Sequence, residues 1–156
     1  MNDEGRDKPG VIAPPPLIFA GGLVAGLLLN RLRPTPFLPG TLSRVLGWPL
    51  VVVGALLGAW SSREMHRAGT NVDPYHPSTA VVASGPYRFT RNPIYLGMTM
   101  IYAGLSARAN ALPAVAVLAA VLHVIHHHVI QREERYLEKK FGDEYLRYKG
   151  RVRRWI

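Results

Sequence analysis

The chain contains no cysteine, so disulfides, thiolate nucleophiles and zinc–thiolate centres are all excluded. Charge is scarce: 19% of the 156 residues are Asp, Glu, Lys or Arg, against 48% hydrophobic. Acids are scarcer still, 10 against 19 Lys and Arg, for a net charge of +9. A basic balance of that size can indicate nucleic acid, but no nucleic-acid motif surrounds the cations. They sit beside apolar runs and at the C-terminus, where anionic lipid headgroups are the more economical partner. No G-x-G-x-x-G occurs, which removes a Rossmann-type fingerprint. Nor does the N-terminus open as a signal peptide. Asp3, Glu4 and Asp7 offset Arg6 and Lys8, and Pro14-Pro15-Pro16 interrupts the approach to the first apolar run, which is expected to be kept.

What is present is apolar and helical. The length suits one domain. The pattern predicts an all-α, polytopic membrane helical bundle with about four transmembrane helices, near 14–32, 41–62, 94–107 and 111–130, and a short C-terminal cytoplasmic helix. The first span reaches roughly 28 Å at 1.5 Å per residue, about one hydrocarbon core. The third is short and must tilt little or borrow length from its flanks. Gly22/Gly26 and Gly54/Gly58 are small-xxx-small pairs that let helices approach closely. Residues 1–13 read as a polar tail, disordered or lying on the surface. Residues 63–93 form a long connection with four prolines, and a loop that long is usually functional or disordered. The fourth span runs into 131–141 without a breaker, predicting one helix that leaves the bilayer. Gly142 should stop it, and Asp143 should cap a short amphipathic helix through Lys149. Four spans put the tail, the loop and the C-terminal segment on one side with 15 of the 19 Lys and Arg; Arg31, Arg33, Arg44 and Arg108 are on the other. The positive-inside rule assigns the richer side to the cytoplasm.

On that side lies Ser84–Gly97, SGPYRFTRNPIYLG, with Tyr87, Arg88, Arg91, Asn92 and Tyr95 crowded between Pro86 and Pro93. The prolines fix φ and bias their predecessors away from helix, leaving a stiff turn with free backbone polar groups. Pro93 suits the first turn of the next helix. A helical hairpin should bring Glu133 and Glu134 to this turn. Paired acids at a membrane surface are costly unless matched. Arg88, Arg91 and Arg132 either neutralise them, or the two clusters form a pocket for a zwitterion that carries an extra cation. Carboxylates and aromatic faces attract cations, and arginine suits a carboxylate. S-adenosylmethionine has those features, and methyl transfer from its sulfonium is an in-line displacement needing orientation and electrostatics.

SGPYRFTRNPIYLG, followed by REERYLEKKFGDEYLRYKGRVRRW, resembles the isoprenylcysteine carboxyl methyltransferase family and is similar to the related phospholipid N-methyltransferases. The likeness runs from about Thr70 to the C-terminus. It implies an integral membrane enzyme using S-adenosylmethionine as cofactor. Taken with the spans and the charge asymmetry, the expected location is multi-pass in a bacterial inner membrane, with the site facing the cytoplasm. The cofactor would be held by Thr79, Ala80, Val81, Val82, Tyr87, the Arg91-Asn92-Pro93-Ile94-Tyr95 turn and Glu133, with Glu134 alongside. Arg91, Glu133 and Glu134 would carry the chemistry: Glu133 on the cationic amino-acid end of the cofactor, Arg91 orienting the pocket or a substrate anion, Tyr87 and Tyr95 as walls. Asn92 stands where many members carry histidine and offers no titratable proton. Phe141-Gly142-Asp143-Glu144-Tyr145 and Tyr148 would close the pocket as a flap within 131–156. The acceptor would be a lipophilic small molecule or lipid with a carboxylate, amine, alcohol or thiol, entering from the bilayer between helices. A carboxylate or thiolate acceptor needs no general base, while an amine or alcohol does.

His123-Val124-Ile125-His126-His127-His128 contains an HxxHH box of the kind membrane di-iron enzymes use, and 123, 126 and 127 share a helix face. Such enzymes need several boxes and the chain has 6 histidines in all, so no metal site is assigned. A satisfied polar face near the helix exit is the plainer reading. Tyr145 and Tyr148 can serve as interface anchors, and Arg151, Arg153 and Arg154 beside Trp155 read as a headgroup contact. Two other functions fit the pattern less well: a non-enzymatic small membrane protein retaining the fold, and a membrane redox enzyme, di-iron or sterol-reductase-like.

Overall fold

The computed structural model describes residues 9–156, and among these the only regular elements are helices. Helix α1 spans Pro15–Leu32, α2 Gly40–Arg67, α3 Pro93–Arg108 and α4 Leu112–Val124. A π-helical turn, Ile125–Ile130, carries α4 into α5, Gln131–Phe141, and α6, Asp143–Arg151, completes the chain. Three helical runs are long and apolar enough to cross a membrane: Pro15–Leu32, Gly40–Arg67 and Leu112–Phe141. The apolar part of the third ends at Ile130; from Gln131 onward the helix is amphipathic and charged. Helix α3, at 16 residues, is shorter than these three, reaching roughly 24 Å.

Two antiparallel pairs build the bundle, and glycine sets both distances. In α2–α3, a methyl on Gly54 would come within 2.6 Å of the Gly97 carbonyl oxygen, and one on Gly104 within 2.6 Å of the Gly47 carbonyl oxygen. Gly47 faces Gly104 while Gly54 faces Gly97, so the helices run opposite ways and α3 follows α2 through its middle. In α1–α4, Gly26 meets Ala114 and Gly22 meets Val121. Both expected small-residue pairs therefore lie at helix contacts. Because α2 makes its contact through glycine, its large side chains are left facing outward: Val52 is 51% and Leu56 65% exposed. Such an apolar exterior is expected where lipid is the solvent. The interior is formed mainly by α1, α3 and α4, with Tyr102, Ile125, Val129 and Ile130 fully buried.

Several details differ from the sequence reading. Residues 1–8 of the expected tail lie outside the described residues, but Val11 is buried in the core and the Gly10 carbonyl accepts a hydrogen bond from Arg132 at 2.6 Å. The tail from Pro9 onward is thus docked, because its apolar valine joins the buried core. Helix α2 continues to Arg67, so the connection is shorter than expected. The fourth span is helical throughout, yet its turn widens at 125–130. Gly142, with φ of 51°, both ends α5 and begins α6; Asp143 makes no capping hydrogen bond and stays in the first turn.

Candidate active site at the helical hairpin mouth

The connection from α2 to α3 is a closed loop, not a loose one. Thr70 is buried, its N–H bonded to the Met65 carbonyl; its Oγ1 accepts from the Thr79 N–H at 3.0 Å. Thr79 Oγ1 in turn donates to the Gly69 carbonyl at 2.6 Å. The two ends are therefore pinned together in the manner of an Ω-loop. Further on, Gly85 has φ of 55° and lies flat against α2: a methyl there would sit 2.6 Å from Glu64 Cγ. Ser84 Oγ donates to Glu64 at 2.6 Å and fixes the same point. A 3-10 turn, Gly85–Arg88, then leads into Asn92, the N-cap of α3, with Pro93 at its start as the sequence predicts.

The acidic pair folds back onto this turn. Tyr95 donates its hydroxyl proton to Glu133 Oε1 at 2.6 Å, across the mouth of the hairpin. Glu134 is 5% exposed and lies between two guanidinium groups. Arg154 binds it with both prongs, Nε to Oε1 at 2.9 Å and Nη2 to Oε2 at 2.7 Å, while Arg91 Nη1 stands 3.1 Å from Oε1. The last residues run back along the turn. The Arg153 carbonyl accepts from the Arg91 N–H at 2.9 Å, and the Arg154 carbonyl accepts from Asn92 Nδ2 at 2.9 Å and Thr90 Oγ1 at 3.1 Å. Tyr148 donates to the Tyr87 carbonyl at 2.8 Å, so α6 is clamped to the same turn.

These elements enclose a cavity of about 510 Å³. Its wall includes Ala80, Val81, Val82, Tyr87, Arg91, Asn92, Pro93, Ile94, Tyr95, Glu133 and Glu134. Of the residues expected at the site, Thr79 alone is off the wall; it faces solvent and serves the loop closure. From the expected flap, Tyr145 and Tyr148 line the cavity and are buried, which replaces the interface-anchor alternative; Asp143 and Glu144 are exposed and take no part. Neutralisation also differs from expectation. Arg88 is exposed and Arg132 is spent on Gly10, so Arg91 and the distant Arg154 match Glu134. Arg154 is therefore no headgroup contact.

The electrostatics divide the two acids. Glu133 lies beyond the apolar part of its helix, and burial at the cavity wall pushes its carboxyl up to about 7, although the Tyr95 hydrogen bond works the other way. Glu134 is also penalised by burial, but its two arginines outweigh this and hold it below the usual carboxylate range. Burial pushes Tyr145 up to about 12, with Arg91 beside it partly offsetting the shift. Tyr87 and Tyr148 are raised further by burial, so the wall is neutral phenol. One polar group is answered only in part. The Arg91 side chain is 9% exposed and ion-paired with Glu134, yet its Nε and Nη1 make no hydrogen bond. A buried guanidinium with donors left over can take a further acceptor.

The sequence pattern of the phospholipid methyltransferase family matches residues 42–144, more than half of the chain. The chain belongs to the phospholipid methyltransferase family. An uncharacterized protein of Haemophilus influenzae is 55% identical over 47 residues, covering 30% of this chain and 73% of that one. The cobalt-zinc-cadmium resistance protein CzcN of Cupriavidus metallidurans is 35% identical over 72 residues, 45% of this chain and 33% of CzcN. The chain thus matches only about a third of CzcN's length.

In this phospholipid methyltransferase family member, the rings of the histidine box stay neighbours: His127 lies 4.5 Å from His123 and 4.8 Å from His126 between ring centres. His126 accepts from Arg154 Nη1 at 3.2 Å. Among the described residues no three His, Cys, Asp or Glu side chains converge on a point where a metal could sit. Sequence reasoning missed Arg154, the Pro14–Pro16 corner, Met98 and the first half of the loop, all of which border the cavity or its salt bridges. Of the two arginines that the turn carries, Arg91 reaches Glu134 and Arg88 does not, so the second cation comes from the far end of the chain.

Proposed function

We propose that the protein is an S-adenosylmethionine-dependent methyltransferase of a membrane, acting from the cytoplasmic face on a lipophilic, membrane-embedded acceptor. The observation that carries this reading is the polarity of the cavity. A buried guanidinium with two nitrogens that make no hydrogen bond and a carboxylate, Glu133, share one wall with apolar side chains. An amino-acid head needs both signs of charge, and a sulfonium adds a second cation for Glu133 and the phenol faces of Tyr87 and Tyr95. A volume of about 510 Å³ lies within the roughly 300–1,000 Å³ of small-ligand pockets. Val81, Val82 and Leu137 offer an apolar bed for the adenosine.

When bound, S-adenosylmethionine supplies an electrophilic methyl group on sulfur. The chain's own task is then placement and the exclusion of water. Tyr145 and Tyr148, buried and neutral, seal the α6 side. The loop closed at Thr70 and Thr79 leads into Ala80–Val82, which line the same cavity as Tyr95. Asn92 is occupied by the Arg154 carbonyl and acts as a brace. Support for a lipophilic acceptor comes from an apolar groove between α1 and α3, lined by Phe19, Leu23, Met98 and Tyr102, which shares Pro16 and Met98 with the cavity. Orientation toward the cytoplasm rests on the 15 of 19 Lys and Arg expected at this end.

Titration of purified protein in detergent with S-adenosylhomocysteine, NADPH and iron tests the reading. Saturable binding of the first, weakened about 100-fold in Glu133→Ala, is the expected result. Binding of NADPH or iron without S-adenosylhomocysteine would reject it. Labelled cofactor with a lipid extract then reports the acceptor.

A further inference from the structure

Arg91 and Arg154 flank one carboxylate but are satisfied to different degrees. Arg154 has a partner for every guanidinium nitrogen: Nε and Nη2 on Glu134, Nη1 on His126. Arg91 lies 3.1 Å from the same carboxylate, yet its Nη1 and Nε make no hydrogen bond. A planar fork beside a buried carboxylate closes onto it with two parallel bonds unless those positions are taken. Here they are taken. The backbone holds the arrangement, because the Arg153 and Arg154 carbonyls are bonded to Arg91, Asn92 and Thr90, and Trp155 packs against the core.

We propose that Arg154 is a positioning residue: by occupying both oxygens of Glu134 it keeps Arg91 from closing onto that carboxylate, so that Arg91 stays available to the anionic end of a bound molecule. His126, placed by the π-helical turn, backs Arg154 from the other side. The C-terminal segment is on this account a strap belonging to the site. The inference rests on the methyltransferase reading for the identity of the ligand and not for the geometry.

The test is a double-mutant cycle read by S-adenosylhomocysteine affinity in detergent. Arg154→Ala should weaken binding about tenfold or more, since Arg91 swings onto the unmatched Glu134. Adding Glu134→Gln to Arg154→Ala removes the competitor and should raise affinity at least about threefold above that of Arg154→Ala alone. Arg154→Lys, which keeps the charge but has no fork, should fall between, and it serves if the alanine variant does not fold. Unchanged affinity in Arg154→Ala, or a double variant no better than the single one, would overturn the proposal. If the wild type binds no S-adenosylhomocysteine, the methyltransferase reading falls and the strap is judged by nitrogen NMR of the arginine Nε–H groups. Arg154→Ala or Arg154→Lys should shift the Arg91 signal toward that of a salt-bridged arginine; an unmoved signal would sink the proposal.

Discussion

At one end of the bundle Asn110 closes the turn between α3 and α4. Its φ of 49° is unusual outside glycine, and its side chain repays the strain. Oδ1 accepts from the N–H groups of Phe37 and Leu38, each at 2.9 Å, and Nδ2 donates to the Leu38 carbonyl at 2.8 Å. One residue thereby stitches the α1–α2 connection to the α3–α4 turn with both ends of its amide engaged. At the other end Arg91, though ion-paired with Glu134, keeps two nitrogens without a hydrogen bond beside a cavity. A surplus of unmet polar groups is costly, so its presence at one end alone marks where a ligand is expected.

That contrast can be broken at its stable end first. Asn110→Ala loses three hydrogen bonds and replaces asparagine, which tolerates positive φ, by a residue that does so less readily, together about 2–3 kcal/mol. The thermal midpoint in detergent should fall while S-adenosylhomocysteine affinity is retained. Glu133→Gln should do the opposite, losing affinity with an unchanged or higher midpoint, because a carboxyl pushed up by burial is a destabilising charge in the fold. If both variants moved both quantities, the two ends would not be independent and the division drawn above would fail.

The same contrast decided what could be read in advance. Helix positions follow from apolar runs bounded by proline and polar breaks, and a lipid solvent makes those runs long and unambiguous. The meeting of Glu133 with Tyr95 was legible because a short polar break at Arg108–Asn110 forces an antiparallel hairpin, whose ends must come together. Thr79 lies off the wall because its hydroxyl closes the loop, and a loop closed by side-chain hydrogen bonds has no periodic signature; only Ala80, Val81 and Val82 of that tract reach the wall. Arg154 was illegible for a related reason. An extended strap is held by carbonyls, which every residue possesses, and a cation beside Trp155 looks the same whether it faces lipid or a buried acid.

The ligand end can be sharpened by pH, with a somewhat smaller effect. Glu133 is neutral below about 7 and ionised above it. A bound cation favours the carboxylate, so binding expels a proton and affinity should rise as pH climbs through about 7, then level off. From pH 6 to pH 8 a gain of about tenfold is expected, which corresponds to roughly 1.4 kcal/mol. Calorimetry in two buffers of different ionisation enthalpy would detect the released proton. Glu133→Gln should flatten the profile; a wild-type profile that is flat or falls with pH would remove Glu133 from the cation's side of the pocket.

The smallest effect tests whether every unmet polar group signals a ligand. Tyr102 is 1% exposed and its hydroxyl has no partner, but it sits in the bundle interior between α1 and α3, with no opposite charge nearby to complete a site. Such a hydroxyl is a plain cost, and Tyr102→Phe removes it with almost no change of shape, for a gain of up to about 1 kcal/mol. The thermal midpoint should rise or hold, and S-adenosylhomocysteine affinity should not change. A lowered midpoint would mean that the hydroxyl is already answered within the bundle. A lost methyl-transfer rate at unchanged cofactor affinity would instead put Tyr102 on the acceptor's path through the α1–α3 groove, and the boundary between scaffold and site would move two helical turns deeper into the bilayer.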